Sequence, residues 1–223
     1  MSKNRIALPA LFFSTVFLAL CFAKDQSRGG EAAERAGIPV PDEANLPEGS
    51  AVAIFAAGCF WCVEECFMQK GGVVAVISGY AQGSEKDAVY KKVSRGLTDH
   101  AEAVQVYYDP EKISFAELVD YFWKIHDPTT LNRQGNDSGR QYRSGIYFRT
   151  EEEKAIALQS KAALDASGYF ASPVVTEVLP DSTFFEAEEY HQNYYRLNPG
   201  DNYCRAVLVP KLKKLGLRWI EDF

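Results

Sequence analysis

The sequence contains no clustered block of lysine and arginine. Its 24 basic residues are outnumbered by 30 acidic ones, which gives a formal net charge of −6 at pH 7. Binding to nucleic acid requires a concentrated basic footprint, so the composition argues against a nucleic-acid partner. The one basic-leaning segment, residues 211–214, is short and fits a solvated helix face.

Histidine and paired cysteine motifs are also scarce. The three histidines, His100, His126 and His191, are scattered singly, which is typical of structural histidines that hydrogen-bond to their neighbours. Only one C-x-x-C motif is present, at Cys59 and Cys62, whereas a closed tetrahedral zinc site needs a second paired set. A zinc-binding module is therefore a weak alternative, and we expect no metal and no bound cofactor.

A positively charged start and an apolar run open the sequence. Lys3 and Arg5 precede the apolar residues 6–22, and the small residue Ala23 then marks a cleavage site before polar sequence begins. A basic start, an apolar centre and a small residue at the end are the three parts of a secretory signal. The pattern predicts a signal peptide over residues 1–23 and export to the periplasm.

Two alternatives to a cleaved signal stay open. The apolar run is near the lower length limit of a membrane span, so a transmembrane anchor is the first. Lipidation of Cys21 is the second, although Leu20 is bulky where a small residue normally precedes a lipidated cysteine. Residues 24–49 are rich in Gly, Pro, Glu and Ala without apolar periodicity, which predicts a flexible linker. Apart from export, we expect no membrane contact.

Residues 50–223 have the size and composition of one globular domain with an ample core. Apolar patterns predict strands over residues 52–57, 73–78, 101–107, 144–149 and 174–179, and helices over 62–69, 89–94, 115–126, 151–166 and 184–197. This order predicts an α+β fold, an α/β sandwich with a ferredoxin-like βαββαβ core and extra helices. The C-terminal segment is expected to be mostly coil, with one short element at 207–215.

One stretch, Gly58-Cys59-Phe60-Trp61-Cys62, places a cysteine where the first predicted strand turns into a helix. The free N–H groups and positive dipole end of a helix favour thiolate, so the sequence predicts a lowered pKa and a nucleophilic Cys59. Phe60 and Trp61 would give that sulfur an apolar wall. A thioredoxin-like disulfide oxidoreductase that uses Cys59 and Cys62 is an alternative with the same motif.

Several separated segments resemble the peptide methionine sulfoxide reductases of A type, which reduce the S epimer of methionine sulfoxide. They are GCFWCVE at 58–64, VYKKVS at 89–94 with HAEAV at 100–104, FWKIHDP at 122–128, RQGND at 133–137 with QYRS at 141–144, and YHQ at 190–192 with NP at 198–199 and YC at 203–204. The resemblance covers residues 51–204 and all five segments occur in the family's order, which makes the match specific.

The resemblance implies roles for the cysteines and their aromatic neighbours. Cys59 would attack the sulfoxide sulfur, Phe60 and Trp61 would hold the substrate's methyl group, and Cys204 would resolve the resulting sulfenic acid as a disulfide. Cys62 lies one helical turn from Cys59 and competes for the resolving role. The preference for Cys204 depends on the expected mobility of its segment.

The resemblance also implies an oxygen-binding group. Glu102, Tyr90 and Tyr142 would contact the sulfoxide oxygen, and Asp137 would support them. Sulfoxide oxygen is a poor leaving group until it is protonated, so the carboxyl group must stay protonated near neutral pH. Burial raises a carboxyl pKa, and Glu102, placed by the sequence on a strand edge among tyrosines, suits this requirement.

The implied partners are proteins or peptides that carry methionine sulfoxide, and an external dithiol reductant that is a thioredoxin-like protein of the same compartment. We expect a monomer that repairs oxidised exported proteins.

Overall fold

The computed structural model describes residues 46–181 and 183–220. The predicted signal peptide, the Cys21 alternative and all but the end of the predicted linker lie outside these residues. The strands are β1 (Ala51–Ala57), β2 (Val73–Ala81), β3 (Ala101–Tyr108), β4 (Arg133–Gln134), β5 (Asp137–Ser138), β6 (Ser144–Phe148), β7 (Glu177–Pro180) and β8 (Phe184–Glu186). Within the described ranges, no helix is long and apolar enough to span a membrane.

The α-helices are α1 (Phe60–Met68), α2 (Tyr90–Val93), α3 (Phe115–Phe122), α4 (Glu151–Ala166), α5 (Tyr194–Leu197) and α6 (Val209–Leu215). Short 3₁₀ turns occur at Glu85–Asp87, Arg140–Tyr142 and Glu189–His191. A π-helix at Cys204–Leu208 leads directly into α6. The capped starts of α3 and α4 follow from sequence: Ser114 forms a capping box with Glu117, and the Thr150 hydroxyl accepts from the Glu153 N–H.

Six strands form one sheet in the order β7-β6-β1-β3-β2-β8. Its four central strands are joined by antiparallel pairs, and β7 adds in parallel to β6 at one edge. The chain runs β1, α1, β2, β3, α3, β6 through these central strands, which is the ferredoxin-like βαββαβ order. The predicted α+β fold is confirmed.

The main core lies where α1 and α3 pack on the sheet. At its centre the Phe55 ring of β1 stacks on Phe67 of α1 at 5.0 Å and on Phe122 of α3 at 5.2 Å between centroids. All three side chains are fully buried. Truncating such a ring costs about 3–5 kcal/mol, so this cluster fixes α1, and therefore its first residue, relative to the sheet.

The predicted helix over residues 184–197 is wrong. Residues Phe184–Glu186 form β8 on the outer edge of β2, opposite Gly79, Tyr80 and Ala81. Gly79 has no side chain, which lets the Phe184 ring and the Phe185 carbonyl approach its backbone closely. Only the last four residues of the predicted helix, α5, are α-helical, because the free strand edge pairs with the first part of the segment.

The C-terminal segment is also more regular than predicted. Its π-helix and α6 bury Cys204, Leu208 and Leu212 completely. The Asp201 side chain accepts from the N–H of Tyr203 at 2.8 Å and from that of Cys204 at 3.4 Å, which anchors the start of the π-helix. The expectation of a mostly coiled segment around Cys204 is therefore wrong.

Candidate active site

The first helix begins directly after the predicted cysteine. Gly58 takes a φ of 90°, a conformation that favours glycine, and a side chain there would lie 2.6 Å from Cβ of Gln134. Cys59 follows as the residue that caps α1, and its carbonyl accepts from the N–H groups of Cys62 and Val63. The turn thus places the Cys59 side chain, 7% exposed, at the boundary of the core.

A buried carboxyl group lies beside this helix start. Glu102 is 2% exposed, and its Oε2 accepts from the backbone N–H of Phe60 at 3.1 Å. Burial raises the pKa of Glu102 to about 8, against the lowering effect of that N–H. The carboxyl group is therefore mostly protonated at neutral pH, as the sequence predicts. Glu102 belongs to β3, an interior strand, so its expected position on a strand edge is wrong.

The predicted low pKa of Cys59 is wrong. Burial raises it well above the ordinary value, and the hydrogen bond to Cys62 and the charges of Cys62 and Glu102 raise it further. The helix start gives little help, because its first N–H points to Glu102. The pKa of Cys62 is lowered, chiefly because the Cys59 thiol donates to its sulfur. In the hydrogen bond between the two cysteines, the Cys59 thiol is thus the donor and the Cys62 sulfur the acceptor.

A tyrosine that sequence reasoning missed connects two predicted residues. The hydroxyl of Tyr203 donates to Asp137 Oδ2 at 2.6 Å and lies 3.9 Å from Sγ of Cys62. Asp137 is held near the sulfurs by β5, which pairs with β4. The available sequence signal was the position of Tyr203 beside Cys204, and it gave no reason to assign a role to the hydroxyl.

Tyr90 and Tyr142 are half-buried near the same carboxyl group. Burial raises the pKa of both hydroxyls, and the charges of Glu102 and Cys59 raise it further. Both phenols are therefore neutral donors over the physiological range. The backbone N–H of Tyr90 donates to Glu188 Oε1 at 3.0 Å, which fixes the start of α2. The structure thus brings both predicted tyrosines to the electrostatic environment of Cys59 and Glu102.

The two aromatic residues after Cys59 differ in exposure. Phe60 is 1% exposed and its ring stacks on Tyr90, whereas Trp61 stays half-exposed. The Trp61 indole stacks on Tyr194 with 3.8 Å between centroids, and its Nε1–H donates to Nδ1 of His191 at 3.2 Å. Burial lowers the pKa of His191 to about 4, so a neutral ring accepts this bond. Sequence reasoning missed both supports of Trp61.

The four cysteines of the described ranges are free thiols. Cys204 is completely buried, and burial raises the pKa of its thiol. Cys66 is also completely buried, with a pKa raised to about 12 by burial. Among these four cysteines, Cys62 shares a hydrogen bond with Cys59. Among the residues that the structure describes, no group of three or more His, Cys, Asp or Glu side chains is arranged to hold a metal ion.

Buried polar contacts join α1 to the segment that carries Tyr194 and Tyr203. Arg196 donates to Glu65 at 2.7 Å, and both side chains are 2% exposed. Glu64 accepts from the backbone N–H of Asn193 at 3.0 Å. The helix that follows Cys59 therefore also holds the C-terminal segment in place.

Comparison with known proteins identifies relatives over most of the chain. The family model for peptide methionine sulfoxide reductase matches residues 51–222. Peptide methionine sulfoxide reductase MsrA 1 of Rhodopirellula baltica is 48% identical over 174 residues, which are 78% of this chain and 90% of that protein. MsrA of Pasteurella multocida is 47% identical over 169 residues, 76% of this chain and 96% of that protein.

Solved structures give the same result. The crystal structure of Mxr1 from Saccharomyces cerevisiae in reduced form matches with a TM-score of 0.66 and 33% identity, over 82% of this chain and 96% of that one. Methionine sulfoxide reductase A of Corynebacterium diphtheriae matches with a TM-score of 0.61 and 34% identity, over 69% of this chain and 77% of that one.

Proposed function

The chain belongs to the peptide methionine sulfoxide reductase family, an oxidoreductase family, and we propose that it reduces the S epimer of methionine sulfoxide through a Cys59 sulfenic acid. The observation that carries this proposal is the contact between the first turn of α1, which directly follows Cys59, and the protonated carboxyl group of Glu102. A nucleophile and an acid thus meet at one helix start.

Glu102 is the proton donor in this mechanism. Sulfoxide oxygen leaves only when it is protonated, and a carboxyl group with a pKa of about 8 still carries its proton at pH 7. The neutral hydroxyls of Tyr90 and Tyr142 donate hydrogen bonds to the same oxygen as negative charge develops on it. The Phe60 N–H holds the carboxyl group in position throughout.

Cys62 acts first as a base. Its sulfur, whose pKa is lowered, accepts the hydrogen bond of the Cys59 thiol, so the proton of Cys59 can pass to Cys62 as Cys59 attacks the sulfoxide sulfur. The high pKa of Cys59 is no obstacle in this arrangement, because the proton has an acceptor in direct contact. The products are methionine and Cys59 sulfenic acid.

Cys62 is also well placed to resolve the sulfenic acid. Its thiol attacks the Cys59 sulfur, a disulfide forms and the sulfenic oxygen leaves as water. Cys204 stays the alternative resolving cysteine. The preference for it depended on a mobile coil, whereas Cys204 is buried in a helical segment. Tyr203 directly precedes Cys204 in sequence, and its hydroxyl donates to Asp137 and lies close to the sulfur of Cys62.

Trp61 provides the wall for the substrate's methyl group in this proposal, since it is the half-exposed aromatic ring beside Cys59. Its stack on Tyr194 and its bond to His191 fix the plane of the indole. Phe60, completely buried, backs the pocket from inside.

The sequence supplies the cellular part of the proposal. A predicted signal peptide over residues 1–23 favours an exported enzyme that repairs oxidised proteins, with a thioredoxin-like dithiol protein of that compartment as reductant. Retention of the full-length chain in the cytoplasm of the producing cell would contradict this part alone.

The test is a single turnover of the fully reduced enzyme with each epimer of methionine sulfoxide in a peptide. We expect one methionine per enzyme from the S epimer, none from the R epimer, and a loss of two free thiols. Cys66→Ser serves as the matched control and should behave like the unchanged enzyme. Reduction of insulin disulfides without sulfoxide reduction would favour the thioredoxin-like alternative.

A further inference from the structure

A cavity of about 470 Å³ is lined in part by Cys59 and Cys62. Its lining includes neither the carboxyl group of Glu102 nor the tyrosines assigned to the sulfoxide oxygen. Apolar side chains from three separate parts of the fold, Ile125, Phe170 and Val207, line it beside the sulfurs. The cavity is therefore a second approach to the cysteine pair, and the proposed sulfoxide chemistry does not use it.

Three lysines line this cavity, in a chain whose net charge is −6. They are Lys124, which follows α3, and Lys211 and Lys214 of α6. Within residues 46–181 and 183–220, none of the three forms an ion pair. The positive charge of Lys211 reaches the cysteine pair, since it helps to lower the pKa of Cys62.

Two carboxylates, those of Asp127 and Asp137, also line the cavity, and both accept hydrogen bonds. Asp137 accepts from the hydroxyl of Tyr203, and Asp127 accepts from both the N–H and the hydroxyl of Thr129. Burial lowers the pKa of the nearby His126 to about 3, so its ring is neutral. The donors to Asp127 and Asp137 are neutral and leave the charges of the two carboxylates in place, so the three lysines outnumber them and the lining carries an excess of positive charge.

We propose that this cavity admits a small thiol that carries carboxylate groups and reduces the Cys59–Cys62 disulfide by attack at Cys59. The inference rests on the proposed function, because that function forms the disulfide. The volume lies in the range of small-molecule sites, about 300–1,000 Å³. The three lysines complement the carboxylates, and the apolar lining accommodates the carbon chain of the thiol.

The chemistry balances with two thiol molecules. The first, as thiolate, attacks Sγ of Cys59; the disulfide bond breaks, a mixed disulfide forms at Cys59 and Cys62, the better leaving group, departs as thiolate. The second attacks the outer sulfur of the mixed disulfide and releases Cys59. Two thiols are oxidised to one disulfide, the enzyme gains two electrons, and the two thiol protons return to the enzyme pair.

The test measures the reductive half-reaction of the full-length enzyme, oxidised beforehand with the S epimer of a peptide methionine sulfoxide. The probes are mercaptosuccinate (two carboxylates), 3-mercaptopropionate (one), 2-mercaptoethanol (neutral) and cysteamine (cationic). The variant carries Lys124→Gln, Lys211→Gln and Lys214→Gln together. The matched control carries Lys112→Gln, Lys154→Gln and Lys213→Gln, the same change in net charge at lysines outside the cavity.

With mercaptosuccinate we expect the cavity variant to react about fivefold to tenfold more slowly than the unchanged enzyme, and the control less than twofold more slowly. The loss should be smaller with 3-mercaptopropionate, absent with 2-mercaptoethanol and reversed with cysteamine. About 0.5 M salt should remove most of the difference, since the Debye length then falls to a few ångströms.

Equal losses with charged and neutral thiols, or no loss at all, would overturn the inference. So would a loss confined to a dithiol protein, because that result would make the lysines a protein-docking surface. A failure of the proposed function shows earlier and separately, as absence of oxidation of the enzyme by the sulfoxide before any thiol is added.

Discussion

The two halves of the candidate site are built in different ways. Cys59 and Glu102 lie where α1 leaves β1 and on the neighbouring strand β3, so the sheet and the packed core fix their separation. Tyr194 and Tyr203 lie on a segment of short turns and helices beyond the sheet. The first half is positioned by backbone hydrogen bonds, and the second by individual side chains.

The contacts of the second half are few and buried. Besides the Arg196–Glu65 and Asn193–Glu64 pairs, the Gln192 amide exchanges two hydrogen bonds with the backbone of Ser78, at 2.8 and 2.9 Å. The positions of Cys59 and Glu102 thus depend on the sheet. The support of Trp61 and the surroundings of Cys204 depend on these side-chain contacts instead. Changes in each half should therefore have separable effects.

Glu102→Gln tests the first half and should have the largest effect. The side chain keeps its size but loses the acidic proton, so we expect the single-turnover rate of sulfoxide reduction to fall about 10²- to 10⁴-fold. The rate of the unchanged enzyme should decline as pH rises through about 8, where Glu102 loses its proton. The same decline in the variant would contradict the assignment.

The raised pKa of Glu102 also gives the sign of a stability effect. Its folded pKa of about 8 exceeds the ordinary 4.5, so between these values the folded state binds more protons than the unfolded state. Stability contributed by this group is present below pH 4.5 and is lost as pH rises toward 8. Measured by urea unfolding, the free energy of unfolding of Glu102→Gln should therefore fall less between pH 4.5 and 8 than that of the unchanged enzyme.

Arg196→Met tests the second half. It leaves the Glu65 carboxylate buried without its cationic partner, which costs about 3–5 kcal/mol of unfolding free energy. The matched control is Lys154→Met, which breaks an exposed pair with Glu151 and should leave that free energy almost unchanged. Adding Glu65→Leu to Arg196→Met should restore much of the loss, and no recovery would argue against a specific pair.

Cys62→Ser and Cys204→Ser sharpen the comparison, because the two cysteines lie in different halves. We expect Cys62→Ser to release its one methionine per enzyme more slowly than the unchanged enzyme, because Cys62 also takes the Cys59 proton, and then to slow at least tenfold further with a dithiol protein as reductant. Cys204→Ser should keep its multiple-turnover rate. The reverse pattern would return the resolving role to Cys204 and require the helical segment to open.

Tyr194→Leu should have the smallest effect. It removes the stack on Trp61, and such aromatic pairs contribute about 0.5–1.5 kcal/mol beyond area burial. We expect kcat/KM for the peptide sulfoxide to fall about twofold to twelvefold, mainly through KM. Tyr169→Leu changes a tyrosine that is 80% exposed and serves as the control. Equal losses of kcat/KM in Tyr194→Leu and Tyr169→Leu would show that the stack on Trp61 has no role.

The first half could be predicted from sequence because its signals are local. An apolar run, Gly58 and a cysteine before a helix specify the turn, and alternation predicts the strand that carries Glu102. The pKa of Cys59 could not be predicted this way, because the N–H expected to stabilise its thiolate donates to Glu102, which is 42 residues away in sequence.

The second half escaped prediction for a similar reason. Residues 184–197 have helical periodicity, yet the free edge of β2 and the missing side chain of Gly79 favour a strand for Phe184–Glu186. The segment around Cys204 is rich in Gly, Asp and Asn, but Asp201 uses its side chain to start a helix there. Partners distant in sequence decide both outcomes.

A single turnover with Cys59→Ser tests the nucleophile most directly. The reduced variant is mixed with the S epimer of a peptide methionine sulfoxide, and methionine is measured together with free thiols. We expect no methionine and no loss of thiols, while circular dichroism shows an unchanged fold. Formation of stoichiometric methionine by this variant would contradict the role of Cys59.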